Sequence, residues 1–374
     1  MNAIENLRKT LSPKGQLDFI YLNITDSCNL KCFYCYEEHS LGSVKKGKEL
    51  SLHEIAQIAD DCKKLGATYV TITGGEPFLN ENWFEIGKLF SDIQMIVSYS
   101  TNGTLLTEEN IKKLSRINAS LQISLDGDDE TMELVTKGKD VATKIIETTK
   151  TLKENDVDFM FNSVVGKHNI AQLDSFIEMI DEYDIRCRLT PYAAELNSKY
   201  SEYALSIQEK YEIIMKVNSH NKEKNKENIF MSIPPLMTPK YIPLTINPAC
   251  GWAYNIAGIL SNGDVSVCAP ASGIDYFIAG NVRETSFIDI WNDSELFKKL
   301  RNYEASDLKG VCAICPVKDV CIGGCRVSPY AKHKDECESE TLCQDFYDAV
   351  LSGKIDTDEF PIGAVKIDRS VTTS

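Results

Sequence analysis

The sequence predicts an α/β fold in which six strand–helix units form an open, partial (β/α)6 barrel, followed by a cysteine-rich C-terminal part. Six apolar, β-rich segments alternate with segments of helical period, which is the pattern of a parallel sheet with helices packed outside it. Six units are too few for a closed eight-stranded barrel. Eight of the thirteen cysteines lie between residues 250 and 343, beyond the last of these units.

Composition indicates a globular protein of about two domains. The chain has 374 residues, of which 43% are hydrophobic and 25% charged. A formal net charge of −15 argues against a nucleic-acid or anionic-membrane surface. We see no signal peptide and no apolar run of spanning length, so we expect a cytoplasmic protein. Without export, thirteen cysteines favour metal or redox roles over disulfides.

The pattern along the chain predicts five regions. They are a short polar arm (1–16), a barrel core (17–230), a linker (231–245), a cysteine-rich domain (246–345), and a short helix with a polar tail (346–374).

The barrel core contains the strand and helix signals. Its predicted strands are 19–25, 69–73, 95–100, 121–125, 159–165 and 186–190. One predicted helix, over 52–65, begins with a capping box of Ser51 and Glu54, and others cover 111–117 and 170–184. Cys62 on the first helix and Cys187 in the sixth strand are expected to be buried structural thiols. Right-handed crossovers would place ligands at the carboxyl ends of the strands.

The loop after the first strand carries Cys28, Cys32 and Cys35 in a C-x3-C-x2-C spacing. Thiolates select zinc, copper(I) or iron–sulfur clusters, and a [4Fe–4S] cluster held entirely by protein takes four cysteines. Three cysteines would therefore leave one iron open. Phe33 and Tyr34 inside the loop can shield a cluster or stack on a flat ligand. A zinc knuckle lacking its fourth ligand, or a chance group of cysteines, is the alternative.

Three further strand-end loops carry signals. In the segment 73–77 (TGGEP), the paired glycines permit close approach to the backbone, and the carboxylate can hold an ammonium group; a plain turn is the alternative. The segment 100–103 (STNG) is interpreted as an ordinary polar turn. In the segment 124–127 (SLDG), Ser124 and Asp126 fall on one face and suit two ribose hydroxyls, unless the segment is an Asp-Gly turn.

The C-terminal cysteines form a second field. Cys250 and Cys268 flank a predicted hairpin whose turn is Asn262-Gly263. The later cysteines follow the pattern C-x2-C-x5-C-x3-C and then stand singly, at Cys312, Cys315, Cys321, Cys325, Cys337 and Cys343. A zinc ribbon would instead show two C-x2-C pairs with tetrahedral sites.

The three-cysteine loop resembles the signature of the radical S-adenosylmethionine (radical SAM) enzymes, and the strand-end loops occur in that family's order. The resemblance implies that Cys28, Cys32 and Cys35 hold a [4Fe–4S] cluster whose open iron binds SAM. It further implies contacts to SAM from Tyr34, from Gly74, Gly75 and Glu76 at the methionine amine, and from Ser124 and Asp126 at the ribose. In this family SAM is cleaved to a 5′-deoxyadenosyl radical, a chemistry that belongs to the cofactor.

The second cysteine field resembles the SPASM domain, an iron–sulfur extension of peptide- and protein-modifying radical SAM enzymes. The resemblance implies two auxiliary [4Fe–4S] clusters, the first on Cys250, Cys268 and Cys325 and the second on Cys312, Cys315, Cys321 and Cys343. The first would keep an open iron or be completed by Cys337. Ala269 stands where sulfatase maturases carry an Asp, which weakens a sulfatase-maturase interpretation.

These resemblances imply an enzyme that oxidises or cross-links a ribosomally made peptide. Sulfatase maturation and tetrapyrrole side-chain oxidation are the alternatives, and a multi-cluster electron carrier is the alternative from another class. The arm is too short for a leader-peptide-binding domain, so we expect a separate recognition protein or a leaderless substrate. A flavodoxin or ferredoxin-type protein would supply electrons. No side chain stands out in the sequence as the catalytic base.

Overall fold

The computed structural model describes residues 15–35, 49–196, 198–238 and 250–355. Most of the predicted arm, part of the predicted linker and most of the predicted tail lie outside these ranges. The chain divides into two compact units. We call residues 13–189 with 252–301 the barrel unit, and residues 1–12, 190–251 and 302–374 the helical unit.

The six predicted strands are present and form a partial (β/α)6 barrel. They pair in parallel where the register is described, and they follow one another across the sheet in chain order. The strands are β1 (Phe19–Asn23), β2 (Tyr69–Thr73), β3 (Ile96–Thr101), β4 (Ser120–Ser124), β5 (Phe159–Val165) and β6 (Arg186–Pro191).

Helices connect these strands, and the first begins as the sequence predicts. Ser51 accepts a hydrogen bond from the Glu54 N–H while the Glu54 carboxylate reaches back to the Ser51 N–H, and Gly66 closes the other end in a left-handed conformation. The helices are α1 (Leu52–Leu65), α2 (Trp83–Asp92), α3 (Glu108–Arg116), α4 (Asp129–Thr136), α5 (Val141–Glu154) and α6 (Leu173–Glu182).

A singly wound sheet of this order has its helices on one face, because each crossover is right-handed. On that face the buried Tyr99 of β3 donates a hydrogen bond to the Trp83 carbonyl of α2 at 2.7 Å. The opposite, inner face is formed by the alternate strand positions. It is mostly polar, with Tyr21, Thr71, Ser98, Gln122, Ser124 and Asn162 among its members.

Three later strands extend the same sheet beyond β1. The strands are β8 (Ile256–Ile259), β9 (Asp264–Ser266) and β10 (Ile278–Asn281). β8 pairs in parallel with β1, whereas β9 and β10 continue the sheet in antiparallel fashion. The predicted hairpin between β8 and β9 is confirmed, with Gly263 at φ +91° in its turn. Two short helices, α8 (Phe287–Asp293) and α9 (Glu295–Arg301), complete the barrel unit. Residues 252–301, which the sequence grouped with the C-terminal domain, therefore pack with the barrel strands.

The helical unit contains the remaining cysteines that follow α9. Its elements are α7 (Ile207–Lys224), β7 (Ile229–Met231), α10 (Gly310–Ile314), α11 (Lys318–Cys321), α12 (Val327–His333) and α13 (Thr341–Leu351). The fully buried Arg326 donates hydrogen bonds to the carbonyls of Glu336 and Glu338, which ties α12 to the segment before α13.

Several single-residue predictions can be compared with the structure. Cys62 and Cys187 are fully buried, as predicted. Arg186 is exposed and forms an ion pair with Asp158 at 2.7 Å. Among the described residues, none of the helices has the length and apolar character that a membrane span requires.

Candidate active site

The three-cysteine loop leaves the carboxyl end of β1 and is fastened to α4. The backbone N–H groups of Lys31 and Phe33 donate hydrogen bonds to the carbonyls of Thr136 and Val135, at 2.9 and 3.1 Å. Burial raises the pKa of Cys32, and the neighbouring Cys35, Asp126 and Cys28 raise it further. The thiols of Cys28 and Cys35 therefore lie near that of Cys32, at the strand end where ligands of parallel sheets gather, and their joint binding of a cluster stays a prediction.

The paired glycines after β2 serve a close approach of backbone to backbone. A Cβ atom on Gly74 would lie 2.4 Å from the Thr25 carbonyl oxygen, and one on Gly75 would lie 2.3 Å from the Ser27 carbonyl oxygen. Two hydrogen bonds of 2.8 Å join the same segments, from Gly75 N–H to Thr25 and from Glu76 N–H to Ser27. The two glycines thus allow the start of the three-cysteine loop to pack directly against the backbone that follows β2. Their contact with SAM stays a prediction.

Glu76 is fully buried, and protein donors surround its carboxylate. One oxygen accepts hydrogen bonds from the Thr101 hydroxyl at 2.8 Å and from the Phe78 N–H at 3.2 Å, and the other accepts from the Asn102 N–H at 2.8 Å. Burial raises the pKa of Glu76 to about 7, although these donors act in the opposite direction. The carboxylate therefore joins the ends of β2 and β3, and its predicted role as ligand of the SAM amine stays a prediction.

Asp126 faces the three-cysteine loop. Its carboxylate accepts hydrogen bonds from the Tyr34 hydroxyl at 2.5 Å and from the Val164 N–H at 2.7 Å. Asp126 is buried, which raises its pKa to about 6. Ser124, two residues earlier, is half-buried and lies opposite Asn162 of β5. Of the two predicted ribose ligands, Ser124 thus lies on the inner face, while Asp126 holds the loop through Tyr34.

His168, on the loop after β5, completes an aromatic group that sequence reasoning missed. Its ring packs edge-on against Phe33 with 5.3 Å between centroids, and Phe33 packs in turn against Tyr34 at 5.4 Å. Burial lowers the pKa of His168 to about 4, so its imidazole is neutral at pH 7. The sequence around His168 shows no spacing typical of metal ligands. The one feature of the sequence that could have indicated a role in the site is its position just after the end of a strand.

The helical unit brings four predicted ligands around one apolar pocket. Cys312, Cys315, Cys321 and Cys343 line it together with Leu236, Val311 and Val317. Four thiols around one apolar pocket is the donor set that a [4Fe–4S] cluster requires. Within the described ranges, no three His, Cys, Asp or Glu side chains form a group suited to a single metal ion. The four thiols are the donor set of the auxiliary cluster that the SPASM resemblance implies for these cysteines, and their binding of a cluster stays a prediction.

The other predicted cluster ligands are distributed between the units. In the helical unit, burial raises the pKa of Cys325 to about 12, and the nearby Cys250 raises it as well. Cys268 follows β9 in the barrel unit. Cys337 lies on the segment before α13, where its N–H donates to the Asp335 carboxylate at 2.8 Å. Whether Cys337 completes the first auxiliary cluster stays an open prediction.

Two protein families match this chain. The model described as the radical SAM superfamily matches residues 22–180, and the model described as SPASM, an iron–sulfur cluster-binding domain, matches residues 250–316.

Curated relatives cover nearly the whole chain. The chain is 29% identical to an AdoMet-dependent heme synthase of Methanosarcina barkeri, over 86% of this chain and 94% of that protein. It is 25% identical to a PqqA peptide cyclase of Bradyrhizobium diazoefficiens, over 91% of this chain and 89% of that protein. Among solved structures, Streptococcus suis SuiB bound to its precursor peptide SuiA superposes with a TM-score of 0.73 at 19% identity, over 91% of this chain and 79% of SuiB. This last similarity concerns the fold.

Proposed function

The chain is a radical SAM enzyme with a SPASM iron–sulfur domain, and from this premise we propose that it oxidises or cross-links a ribosomally made peptide. Cys28, Cys32 and Cys35 would hold the SAM-binding [4Fe–4S] cluster. When bound, the cluster and SAM supply a 5′-deoxyadenosyl radical that takes a hydrogen atom from the substrate.

The side chains of the barrel unit have separable tasks in this proposal. Gly75 and Glu76 seat the loop against β2 and β3, and Tyr34 ties its far end to Asp126. Phe33 is buried and would keep water from the cluster. Of the two predicted ribose ligands, Asp126 accepts hydrogen bonds from Tyr34 and Val164. We therefore propose Ser124, which is half-buried on the inner face, as the ribose contact.

The observation that favours a peptide is the chemistry of the inner face. Along β1 to β6 this face presents hydroxyls, amides and aromatic rings, and Arg188 is its only cationic side chain in the described strands besides the Asp158-paired Arg186. The hydroxyls of Thr71 and Ser98 are 1% exposed and have no hydrogen-bond partner among the described residues. Hydroxyls buried this completely can be satisfied by an ordered water. An amide backbone suits such a surface, whereas the several carboxylates of a tetrapyrrole would call for several cations.

Tetrapyrrole oxidation remains the second candidate, because the heme synthase is a 29% identical relative. Its substrate would have to be held by charges outside the inner face of the barrel strands.

We propose three [4Fe–4S] clusters in total. The four cysteines around the apolar pocket would hold one auxiliary cluster, and Cys250, Cys268 and Cys325 would hold the other, with Cys337 or an open iron completing it. The auxiliary clusters would take up the electron released by the oxidised peptide or bind the substrate. A flavodoxin or ferredoxin-type protein would supply the electron that reduces the SAM-binding cluster. The peptide would be presented by a separate leader-recognition protein or would be a leaderless substrate.

Anaerobic reconstitution followed by dithionite and SAM tests the enzyme. We expect about twelve irons per chain, four for each cubane, and release of 5′-deoxyadenosine that stops in Cys32→Ala. Cys62→Ala is the matched control, since Cys62 is a buried thiol of α1 away from the loop. The substrate test adds synthetic peptides for each short reading frame beside the gene, or a carboxylated tetrapyrrole. A peptide lighter by two hydrogen atoms supports the proposal, and turnover of the tetrapyrrole alone overturns it.

A further inference from the structure

The loop after β3 contacts the three-cysteine loop through Asn102. The side-chain amide nitrogen of Asn102 lies 3.9 Å from the Cys28 sulfur and donates a hydrogen bond to the Asn29 side-chain oxygen at 2.9 Å. The Leu30 N–H approaches the same sulfur at 3.5 Å. The Cys28 sulfur thus has two N–H neighbours, one from its own loop and one from the segment 100–103, which the sequence analysis interpreted as an ordinary turn.

The orientation of the Asn102 amide follows from its other hydrogen bonds. Its side-chain oxygen accepts from the Thr104 N–H at 3.0 Å and from the Thr104 hydroxyl at 2.6 Å. The Thr104 hydroxyl in turn accepts from the Asn29 amide nitrogen at 2.8 Å. Because Thr104 supplies two donors, the oxygen must face Thr104 and the NH2 group must face Asn29 and Cys28. Asn29, Asn102 and Thr104 form a closed ring of hydrogen bonds. If the side-chain amide of Asn29 or of Asn102 were flipped, its NH2 group would face another hydrogen-bond donor.

The backbone of Asn102 is fixed as well. Its N–H donates to the buried Glu76 carboxylate at 2.8 Å, and the preceding Thr101 hydroxyl binds the other oxygen of the same carboxylate. Glu76 therefore connects the loop after β2 to the residue that reaches Cys28. A donor held on both its backbone and its side chain keeps its direction when the ligand sulfur changes charge.

We propose that Asn102 is a positioning residue that sets the reduction potential of the SAM-binding cluster, by directing its amide N–H at the Cys28 sulfur. This inference rests on Cys28 being a ligand of that cluster, as proposed above. Hydrogen bonds to ligand sulfurs are among the factors that set cluster potentials, and they favour the more negative, reduced form. Removing the Asn102 donor should therefore make the cluster harder to reduce.

The test is a redox titration of the reconstituted holoenzyme, followed by electron paramagnetic resonance. The signal that changes when SAM is added identifies the relevant cluster among the three. Asn102→Asp keeps the shape and the acceptor for Thr104 but removes the donor, and Asn29→Asp is its matched control, because it adds the same charge to the same ring and keeps the oxygen that Asn102 binds. Asn102→Ser removes the donor without adding charge and keeps a short acceptor for the turn.

We expect Asn102→Ser and Asn102→Asp to lower the reduced-to-oxidised ratio at a fixed potential by up to about tenfold, which is about 59 mV for one electron. Asn29→Asp should shift the ratio less than Asn102→Asp does. The inference is overturned if Asn102→Ser titrates like the wild type, or if the two Asp variants shift equally. Loss of every SAM-sensitive signal in Cys28→Ala supports the ligand assignment. A SAM-sensitive signal that persists in Cys28→Ala refutes that assignment and the inference that rests on it, whereas an unshifted potential in Asn102→Ser refutes the role of Asn102 alone.

Discussion

Glu76→Gln is the substitution whose effect follows most directly from the structure. The wild-type carboxylate accepts three hydrogen bonds in a fully buried position, from Thr101, Asn102 and Phe78. Glutamine keeps the size and one oxygen, which can serve Thr101 and Phe78. Its NH2 group would then meet the Asn102 N–H, so that two donors face each other. A buried donor left without an acceptor costs about 1–3 kcal/mol.

The expected readout is local opening of the β3 end. A cost of about 1–3 kcal/mol corresponds to roughly a 5- to 150-fold change in an equilibrium constant. Amide hydrogen exchange of the segment 101–104, measured by mass spectrometry, should accelerate within that range at pH 8. Glu85→Gln is the control, since Glu85 is exposed on α2, close in the chain to Glu76. Unchanged exchange in Glu76→Gln relative to Glu85→Gln would refute the reasoning.

The pH dependence of wild-type stability gives a second test of Glu76, and the sign of this dependence is set by burial of the carboxyl group. The pKa of Glu76 is raised from 4.5 to about 7, so the folded state binds its proton more tightly than the unfolded state does. Glu76 therefore stabilises the fold least when ionised, and wild-type stability should fall as the pH rises from about 4.5 to 7. Thermal unfolding followed across this range should show a smaller fall in Glu76→Gln. An equal fall in both proteins would contradict the assignment to Glu76.

Three other substitutions test separate parts of the account. Tyr34→Phe removes a hydrogen bond to the buried Asp126 carboxylate, worth about 1.5–3 kcal/mol for a charged acceptor, and should speed loss of iron from the SAM-binding site to a chelator; an unchanged rate would contradict this. Gly75→Ala places a Cβ 2.3 Å from the Ser27 carbonyl oxygen, so the reconstituted protein should lose SAM-dependent 5′-deoxyadenosine release, whereas Gly66→Ala, which meets no atom within 4 Å, should keep it despite a strained backbone. Cys343→Ser should reduce the iron content by up to about four per chain while 5′-deoxyadenosine release persists; a full iron content would exclude Cys343 as a ligand.

The positions of the barrel elements could be predicted because their signals are local. β-Branched runs predicted all six barrel strands to within about two residues, and the capping box of Ser51 and Glu54 predicted the start of α1. The parallel pairing of β8 with β1 could not be predicted, since these strands lie more than 230 residues apart and no local pattern specifies the partner of an edge strand.

Motifs located the candidate site but did not reveal which way its side chains face. The segments at Glu76 and Asp126 lie at the strand ends where the sequence placed them, yet both carboxylates are occupied by protein donors. The segment 100–103 gave the weakest signal in the sequence. It nevertheless contains Asn102, whose side chain donates the described side-chain hydrogen bond to the Cys28 sulfur. The identity of a hydrogen-bond partner depends on packing between distant loops, which spacing in the sequence does not encode.

The central claim is that the three thiols near the start of the chain leave one iron free to bind SAM. Electron–nuclear double resonance of the dithionite-reduced protein with SAM labelled with ¹⁷O in its carboxylate measures this directly. We predict a hyperfine coupling between the label and the cluster, present in the wild type and absent in Cys32→Ala. A SAM-bound, reduced cluster that shows no such coupling would mean that its fourth iron is capped by the protein, and the claim would be wrong.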